Sequence, residues 1–169
     1  MNVTIRRAEP RDVDFLLELM GEEDVEENLA VVRPRDREGL LAEIERSQSE
    51  PDEYGRFVIE VDGEPAGLMG FQVANKRSRI ANLGSLAVHP SFRGRRLADE
   101  AARLFQRHLL FELGYHRLQL EIYGFNKRAQ RHAERAGFVH EGVRRKAYDR
   151  HGQWVDSVIY GLVREDLED

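Results

Sequence analysis

An arginine- and glycine-rich segment that runs from Arg93 to Ala98 has the residue types that bind a phosphate group. It follows an apolar stretch that ends at Val88 and leads into a helical pattern that begins at Leu97. Gly94 lets the backbone bend, and the first N–H groups of the next helix have no partner within that helix. The three arginines strengthen the prediction, because a guanidinium can donate two hydrogen bonds to phosphate oxygens. The segment therefore predicts a phosphate cradle.

The order of residues in this loop resembles the acetyl-CoA pyrophosphate loop of the GNAT superfamily of N-acetyltransferases, Q/R-x-x-G-x-G/A. The corresponding residues, which the resemblance assigns to cofactor binding, are Arg93, Gly94, Arg95, Arg96, Leu97 and Ala98. Arg96 is a departure, because it stands where the family usually has glycine. Its side chain could crowd the pyrophosphate or turn outward and add positive charge, and we expect the second.

Two later segments resemble the same superfamily. The first is a strand followed by a helix that opens with N-x-x-A and ends in G-F, and its matching residues are Asn126, Ala129, Gly137 and Phe138. The second resembles the closing hairpin of the ribosomal-protein and polyamine N-acetyltransferase subgroup, through Glu141, Gly142, Arg145, Gly152 and Asp156. Because the opening I-R-R-A-E-P-R-D also fits, the resemblance implies one acyl-CoA N-acyltransferase domain over residues 1–169.

The resemblance implies direct transfer of an acetyl group from acetyl-CoA, as co-substrate, to a primary amine. The acceptor would be a small cationic molecule of the polyamine type or a protein N-terminus. In the resembled fold the pantetheine arm lies between two splayed strands, where it would pair with backbone groups of Leu86, Ala87 and Val88 as an added strand would. Asn126, which opens the later helix, is assigned to the same cofactor site.

Transfer to an amine requires an acceptor nitrogen that has lost its extra proton. A lysine-like amine has a pKa of about 10.4, so less than about one molecule in a thousand is neutral at pH 7, whereas an α-amine with a pKa near 8 needs less help. Glu121 is our candidate to assist deprotonation through water, because it lies late on a predicted strand and alternates away from Leu120 and Ile122. The alternative is an exposed strand carboxylate paired with an arginine.

Tyr148 and Asp156, both in the predicted last hairpin, are further candidates for substrate contact or proton relay. Each is equally consistent with a turn or an interstrand hydrogen bond. Ala133 departs from the family, many of whose members have a tyrosine at this position, seven residues after the helix-opening asparagine, to protonate the departing CoA thiolate. Tyr123, Tyr148 and water stay open as replacements. The departure also leaves open a second function class, a degenerate acyl-CoA-binding sensor or scaffold module.

Metal and thiol chemistry find little support in the sequence. His132, His140 and His151 do not have the spacing of metal ligands, so we expect isolated surface histidines and no metal. The chain contains no cysteine, which excludes a disulfide framework and catalysis through an enzyme-bound thioester.

Composition fits one compact domain without naming its function. A chain of 169 residues that is 41% hydrophobic can bury a sizeable core. Because the N-terminus has no basic start followed by an apolar run, and no stretch is long enough to span a bilayer, we expect a cytoplasmic protein without a membrane partner. The formal net charge of -5 argues against general binding of nucleic acid, which needs a basic surface.

Charge is unevenly distributed along the chain. The run from Glu22 to Asn28 contains five acidic and no basic residues, whereas basic residues concentrate around Arg93 and again from Lys127 to Lys146. An acidic rim near a basic cofactor site would suit a cationic acceptor beside an anionic CoA. A merely solvated surface explains the acidic run equally well.

Hydrophobic periodicity and turn residues predict alternating strands and helices. The predicted strands are Val3 to Ala8, Phe57 to Val61, Pro65 to Val73, Ile80 to Val88, one through Leu118, Leu120 and Ile122, and two around a turn from Asp149 to Gly152. Helices are predicted after Pro10 and Asp12, from Pro34 to Ser47, from Leu97 to Leu113 and after Asn126.

These elements predict an α/β (α+β) fold. The resemblance implies a GNAT-like mixed, mostly antiparallel sheet of about seven strands flanked by about four helices. In that fold the strand that ends near Val88 splays from the strand that ends near Tyr123, and the cofactor lies in the gap. The last hairpin leaves an edge strand that can pair with a second copy, so a homodimer stays open.

Overall fold

The fold is an eight-stranded sheet flanked by four α-helices in the residues that the computed structural model describes, which are 1–21, 36–84 and 86–167. The helices are α1 (Val13–Met20), α2 (Arg37–Ser49), α3 (Leu97–Arg107) and α4 (Lys127–Arg135). The strands are β1 (Val3–Arg7), β2 (Tyr54–Val61), β3 (Glu64–Asn75), β4 (Ile80–Leu83), β5 (Ala87–Val88), β6 (Arg117–Tyr123), β7 (Val139–Arg150) and β8 (Gln153–Val163). The acidic run from Glu22 to Asn28 and the predicted helix start at Pro34 lie outside the described residues.

The helices begin and end at residues that the sequence pattern predicts only in part. The side chain of Asp36 caps α2 by accepting a hydrogen bond of 2.7 Å from the Gly39 N–H, and this helix continues to Ser49. The predicted helix from Leu97 to Leu113 has the expected extent, but its last part, His108–Glu112, is a π-helical turn rather than α-helix. A proline-led 3-10 turn precedes α1, so this helix starts at Val13.

The sheet is antiparallel between every neighbouring pair except one. Its order is β1-β2-β3-β4-β6-β8-β7, and β4 and β6 run parallel. Asp62 and Gly63, with φ of 51° and 84°, form the hairpin turn that the sequence predicts between β2 and β3. The strand count exceeds the predicted seven because the strand expected from Ile80 to Val88 is divided into β4 and β5.

Gly67 explains how β5 lies so close to β3. It pairs with Val88, and a Cβ atom added at this glycine would meet the carbonyl oxygen of Ala87 at 2.5 Å. A side chain here would therefore push β5 away from β3.

Beyond its first three residue pairs, β6 loses its partner on one side. Parallel pairing with β4 runs from Ile80↔Arg117 to Asn82↔Gln119, after which β6 continues to Tyr123 while β5 follows β3 instead. The two strands therefore splay, as the resemblance implies, and the gap opens at Asn82 and Gln119.

The sheet has a hydrophobic cluster on each face. Helices α3 and α4 cover one face, where Phe105 and Ala133 pack with Leu118 and Ile122. Helices α1 and α2 cover part of the other, where Leu16 and Ile44 belong to the second cluster. None of the helices in the described ranges is long and apolar enough to cross a membrane.

Candidate active site

The gap between β5 and β6 opens into a cavity of about 670 Å³. Residues from both splayed strands, the phosphate loop, α3, α4 and the β7–β8 hairpin line it. Of the predicted catalytic and cofactor-binding residues, those that line the cavity are Leu86, Ala87, Val88, Arg93, Ala98, Glu121, Asn126 and Tyr148. Those that do not line it are Gly94, Arg95, Arg96, Leu97 and Asp156.

The phosphate loop uses the left-handed backbone region at two positions. Gly94 has φ of 83°, and no other atom lies within 4 Å of where its Cβ would be. Arg96 has φ of 54° and forms the N-cap of α3, which explains why glycine is the usual residue at this family position. The Arg96 side chain is exposed. The loop thus presents an open backbone turn and the unpaired N–H groups that begin α3.

Arginine side chains attach this loop to its surroundings. Arg93 donates a hydrogen bond of 3.1 Å from Nε to the carbonyl oxygen of Val88, which links the loop to the end of β5. Arg95 lies over the ring of Phe92, with its guanidinium carbon 5.7 Å from the ring centre. These contacts leave positive charge beside the α3 N-terminus, where the resemblance implies the pyrophosphate of CoA.

Asn126 begins α4 and also lines the cavity. Its side-chain oxygen accepts a hydrogen bond of 3.1 Å from the Ala129 N–H, which is an ordinary N-cap. That contact uses only the amide oxygen, so the NH₂ group of Asn126, a residue that lines the cavity, keeps its capacity to donate hydrogen bonds.

Strand alternation puts Glu121 on the face of β6 opposite to the face that α3 and α4 cover. Antiparallel register then brings Tyr148 to the same face, because Glu121 pairs with Ile159 and Tyr148 pairs with Val155 of the same strand, β8. The Tyr148 hydroxyl donates a hydrogen bond to Oε2 of Glu121. The structure thus joins two candidates that lie 27 residues apart in sequence.

Arg144 is the second partner of this carboxylate. Its Nη1 atom lies 2.9 Å from Oε1 of Glu121, and its side chain is largely exposed, whereas that of Glu121 is mostly covered. The arginine pairing that the sequence left as an alternative is therefore present, together with the contact to Tyr148. With both contacts in place, Glu121 still lines the cavity.

The hydrogen bond to Glu121 raises the pKa of Tyr148 to about 12, with burial and the charge of Glu121 acting in the same direction. The hydroxyl therefore keeps its proton throughout the neutral pH range and acts as a hydrogen-bond donor. Because the donor points at Glu121, Tyr148 fixes the orientation of the carboxylate that faces the cavity.

Asp156 lies on the other face of the hairpin. Its position alternates with those of Val155 and Ser157, and its Oδ1 accepts a hydrogen bond of 2.8 Å from the Lys146 N–H. Lys146 has φ of 49° and lies in the irregular stretch between Arg144 and Tyr148. The interstrand hydrogen bond that the sequence left open for Asp156 is thus the contact observed, and it supports the bulge that precedes Tyr148.

The prediction of three isolated surface histidines is wrong for His132. Its side chain is only 22% exposed, its Nδ1 lies 2.9 Å from Oδ1 of Asp99, and it lines the cavity. The helical spacing of α4 could have indicated this, because His132 lies three residues after Ala129 and four before Ala136, which both pack against the core. In the described part of the chain, no group of three or more His, Cys, Asp or Glu side chains could hold a metal ion.

An amide pair that the sequence reasoning missed lies where the strands separate. Gln119 donates a hydrogen bond of 2.7 Å from Nε2 to Oδ1 of Asn82, and both side chains line the cavity. Gln119 could have been found from its alternation with Glu121, but nothing in the sequence pattern marks Asn82. The pair closes the parallel ladder with a side-chain hydrogen bond.

The family model described as Acetyltransferase (GNAT) domain matches residues 2–139. The chain belongs to this family. The fold prediction and the prediction of an acetyl-CoA-dependent N-acetyltransferase are therefore confirmed at the level of the family, and the phosphate loop and splayed strands described above lie within the matched range.

Individual relatives agree with this assignment. An uncharacterized, SPbeta prophage-derived N-acetyltransferase, YokL, of Bacillus subtilis is 27% identical over 99% of this chain and 93% of that protein. A spermidine N(1)-acetyltransferase of Escherichia coli is 30% identical over 61% of this chain and 55% of that protein. Among solved structures, spermidine N-acetyltransferase from Vibrio cholerae in complex with CoA and spermine has a TM-score of 0.86 at 20% identity, covering 97% of this chain and 96% of that one. This last likeness is one of fold.

Proposed function

We propose that this protein moves an acetyl group from acetyl-CoA directly to a primary amine of a small, polyamine-like cation, with a protein N-terminus as the other acceptor class. The observation that carries the proposal is the contact between Glu121 and Tyr148 in the wall of the cavity beside the splayed strands. A carboxylate that faces such a cavity can attract an ammonium group and accept its proton. The names of the spermidine acetyltransferases similar to this chain support the polyamine class.

The residues present fit acetyl-CoA. Its phosphates would meet the open loop around Gly94 and the first N–H groups of α3, while Arg93 supplies positive charge. The edge of β5 that faces away from β3 would pair with the pantetheine arm, since β6 no longer pairs there. When bound, acetyl-CoA supplies an activated thioester that an amine can attack.

Since the phosphate loop follows β5, a cofactor whose phosphates bind this loop would have its reactive end nearer to Asn82 and Gln119, where the gap begins. Glu121 lies two residues beyond Gln119 on the same strand face. The acceptor would therefore reach the thioester from the face that carries Glu121, and residues of α3 and α4 would hold CoA on the other side of the cavity.

Deprotonation is the step that this chain's own residues can assist. We assign Glu121 as the group that receives a proton from the acceptor ammonium, directly or through a water molecule. Arg144 now occupies Oε1 of that carboxylate, and because the arginine is largely exposed it can move toward solvent when a substrate cation replaces it. Asp156 has a different role in this proposal, since it supports the hairpin bulge rather than the substrate.

Tyr148 is better suited to hold Glu121 than to protonate the leaving group. A phenol whose pKa is about 12 is a weak acid toward a thiolate, whose conjugate thiol has a pKa of about 8.5. The thiolate is a tolerable leaving group on its own, and water or the proton released by the amine can neutralise it. The absence of a tyrosine at Ala133 is therefore compatible with turnover.

The absence of a tyrosine at position 133 is also the observation behind the second candidate, an acyl-CoA-binding sensor or scaffold without transfer. A panel of spermidine, amino acids, aminoglycosides and peptides with free N-termini separates the two, with CoA thiol release measured beside acetyl-CoA binding. We expect thiol release with the polyamines and none with their fully N-acetylated forms. Tight acetyl-CoA binding without release across the panel would contradict the enzyme and support the sensor.

A further inference from the structure

Asp99 places a carboxylate beside the phosphate cradle. It lies in the first turn of α3, one residue after the loop motif ends at Ala98. A negative charge there would repel an incoming phosphate unless another group balances it. Two groups from α4 contact this carboxylate: Arg135 supplies a positive charge, with Nη2 at 3.4 Å, and His132 supplies a hydrogen-bond donor, with Nδ1 at 2.9 Å. Burial would raise the pKa of Asp99, but these partners outweigh it and hold the pKa below its ordinary value.

The contact with Asp99 determines which nitrogen of His132 faces away from it. An ionised carboxylate can only accept a hydrogen bond, so Nδ1 of His132 must carry the proton that is shared with Asp99. In the neutral imidazole, Nε2 then holds a lone pair. The ring belongs to the cavity wall, so this lone pair is the part of His132 that can meet a ligand.

The charged surroundings of His132 come from three elements. Asp99 on α3 favours the protonated ring, while Arg128 and Arg135 on its own helix oppose it, and Arg93 of the phosphate loop adds positive charge to the same cavity. Strand β5, which also lines the cavity, contributes only the apolar residues Ala87 and Val88. Burial is the largest influence and lowers the pKa of His132, with the two helix arginines acting in the same direction and Asp99 against them.

We propose that His132 is a cofactor-binding residue that takes up a proton when CoA binds, so that its imidazolium pairs with a phosphate group of CoA. This inference rests on the proposed function, since it requires CoA in the cavity. Without CoA, arginines outnumber carboxylates around the ring, and with CoA the phosphates reverse that balance. The proton comes from solvent and binds to Nε2, while Nδ1 stays on Asp99. CoA therefore binds more tightly as the pH falls through neutrality.

Isothermal titration calorimetry of CoA binding, without any amine, tests this directly. Repeating the titration at one near-neutral pH in buffers of different ionisation enthalpy gives the number of protons taken up on binding. Dephospho-CoA is the better probe, because it lacks the phosphate monoester that itself titrates near pH 6. We expect the wild type to take up a fraction of a proton with both ligands.

His132→Gln should abolish most of that uptake and weaken dephospho-CoA binding about tenfold, the loss of one hydrogen bond to a charged group. His116→Gln is the matched control, because His116 is half-exposed, lies near Glu165 and does not line the cavity. It should leave both values unchanged. Equal proton uptake in the wild type and His132→Gln would overturn the inference alone, and wild-type protein that binds no CoA would overturn the proposed function as well.

Discussion

The two walls of the cavity present different chemical groups. The β5 wall and the loop after it offer backbone groups, small or apolar residues and a few arginines. The opposite wall, from β6 and β7, offers side chains with opposing charge and hydrogen-bonding ability, Glu121, Arg144 and Tyr148. A cofactor common to a whole family can be held by backbone geometry, whereas acceptor chemistry depends on side chains. In the proposed function the β5 wall with its loop is the cofactor wall, and the wall from β6 and β7 is the acceptor wall. Each prediction tests whether one wall carries its separate task.

Glu121→Gln should cause the largest change and confine it to the acceptor wall. Replacing the carboxylate with an amide removes the proton acceptor, so kcat should fall by roughly a hundredfold to ten-thousandfold. The difference in kcat between the wild type and the variant should become smaller as the pH approaches the pKa of the amine, because the acceptor then loses its proton without help. A kcat–pH profile measures both effects.

Glu165→Gln serves as the control for this change, because Glu165 is exposed and lies outside the cavity. CoA affinity should be unchanged in both variants. A Glu121→Gln enzyme with the wild-type profile would make Glu121 a structural residue.

Gly94→Trp should abolish cofactor binding while the acceptor wall stays intact. An indole at this exposed turn would cover the cradle, and the loss of one or two charged hydrogen bonds implies at least a roughly hundredfold weaker Kd for CoA. Equilibrium binding measures the effect, and circular dichroism checks that the fold persists. Gly94→Ala would place a Cβ at the same φ of 83° with far less bulk, so it separates backbone strain from obstruction. Wild-type affinity in Gly94→Trp would refute the assignment of the loop.

Gly67→Ala should distort the cofactor wall by pushing β5 away from β3. The new methyl group would meet the Ala87 carbonyl oxygen at 2.5 Å, which should lower the free energy of unfolding by about 1–3 kcal/mol. CoA binding should weaken, because β5 is the displaced strand. Urea unfolding and CoA titration give the two values. Gly142→Ala is the matched control, since its Cβ would meet nothing within 4 Å; equal stability of the two variants would contradict the prediction.

Tyr148→Phe should have the smallest effect, limited to the orientation of Glu121. Loss of one hydrogen bond to a charged group predicts a decrease in kcat of about tenfold, with CoA affinity retained. The pKa of Tyr148 is higher in the folded state than the unfolded value of 10.0. The contact with Glu121 therefore makes its full contribution to the free energy of unfolding below pH 10, and that contribution is lost as the pH rises through about 12. An absorbance titration of tyrosinate should lose one high-pH component in the variant. Loss of a component near pH 10 instead of one near pH 12 would show that the pKa of Tyr148 is not raised.

Local sequence by itself determined the backbone of the phosphate loop and of the helix starts on either side of the cavity. The Arg93–Ala98 loop, the helix after it and the N-cap at Asn126 depend on neighbours only a few residues away, so motif and spacing sufficed to predict them. Most strands and helices were predictable for the same reason, since periodicity and turn residues act locally. The division of β4 from β5 was not, because it depends on the close approach that Gly67 of another strand allows.

Tertiary structure alone decided the side-chain contacts in the wall formed by β6 and β7 and the contact between His132 and Asp99. Glu121 was identifiable as a carboxylate on a strand, but its contacts with Arg144 and Tyr148 depend on the register of β7 and β8 and on a bulge between them. Likewise, His132 and Asp99 are brought together by two helices that pack on one face of the sheet. Register and helix packing arise from the whole core, so no single segment of sequence encodes which side chains they bring together.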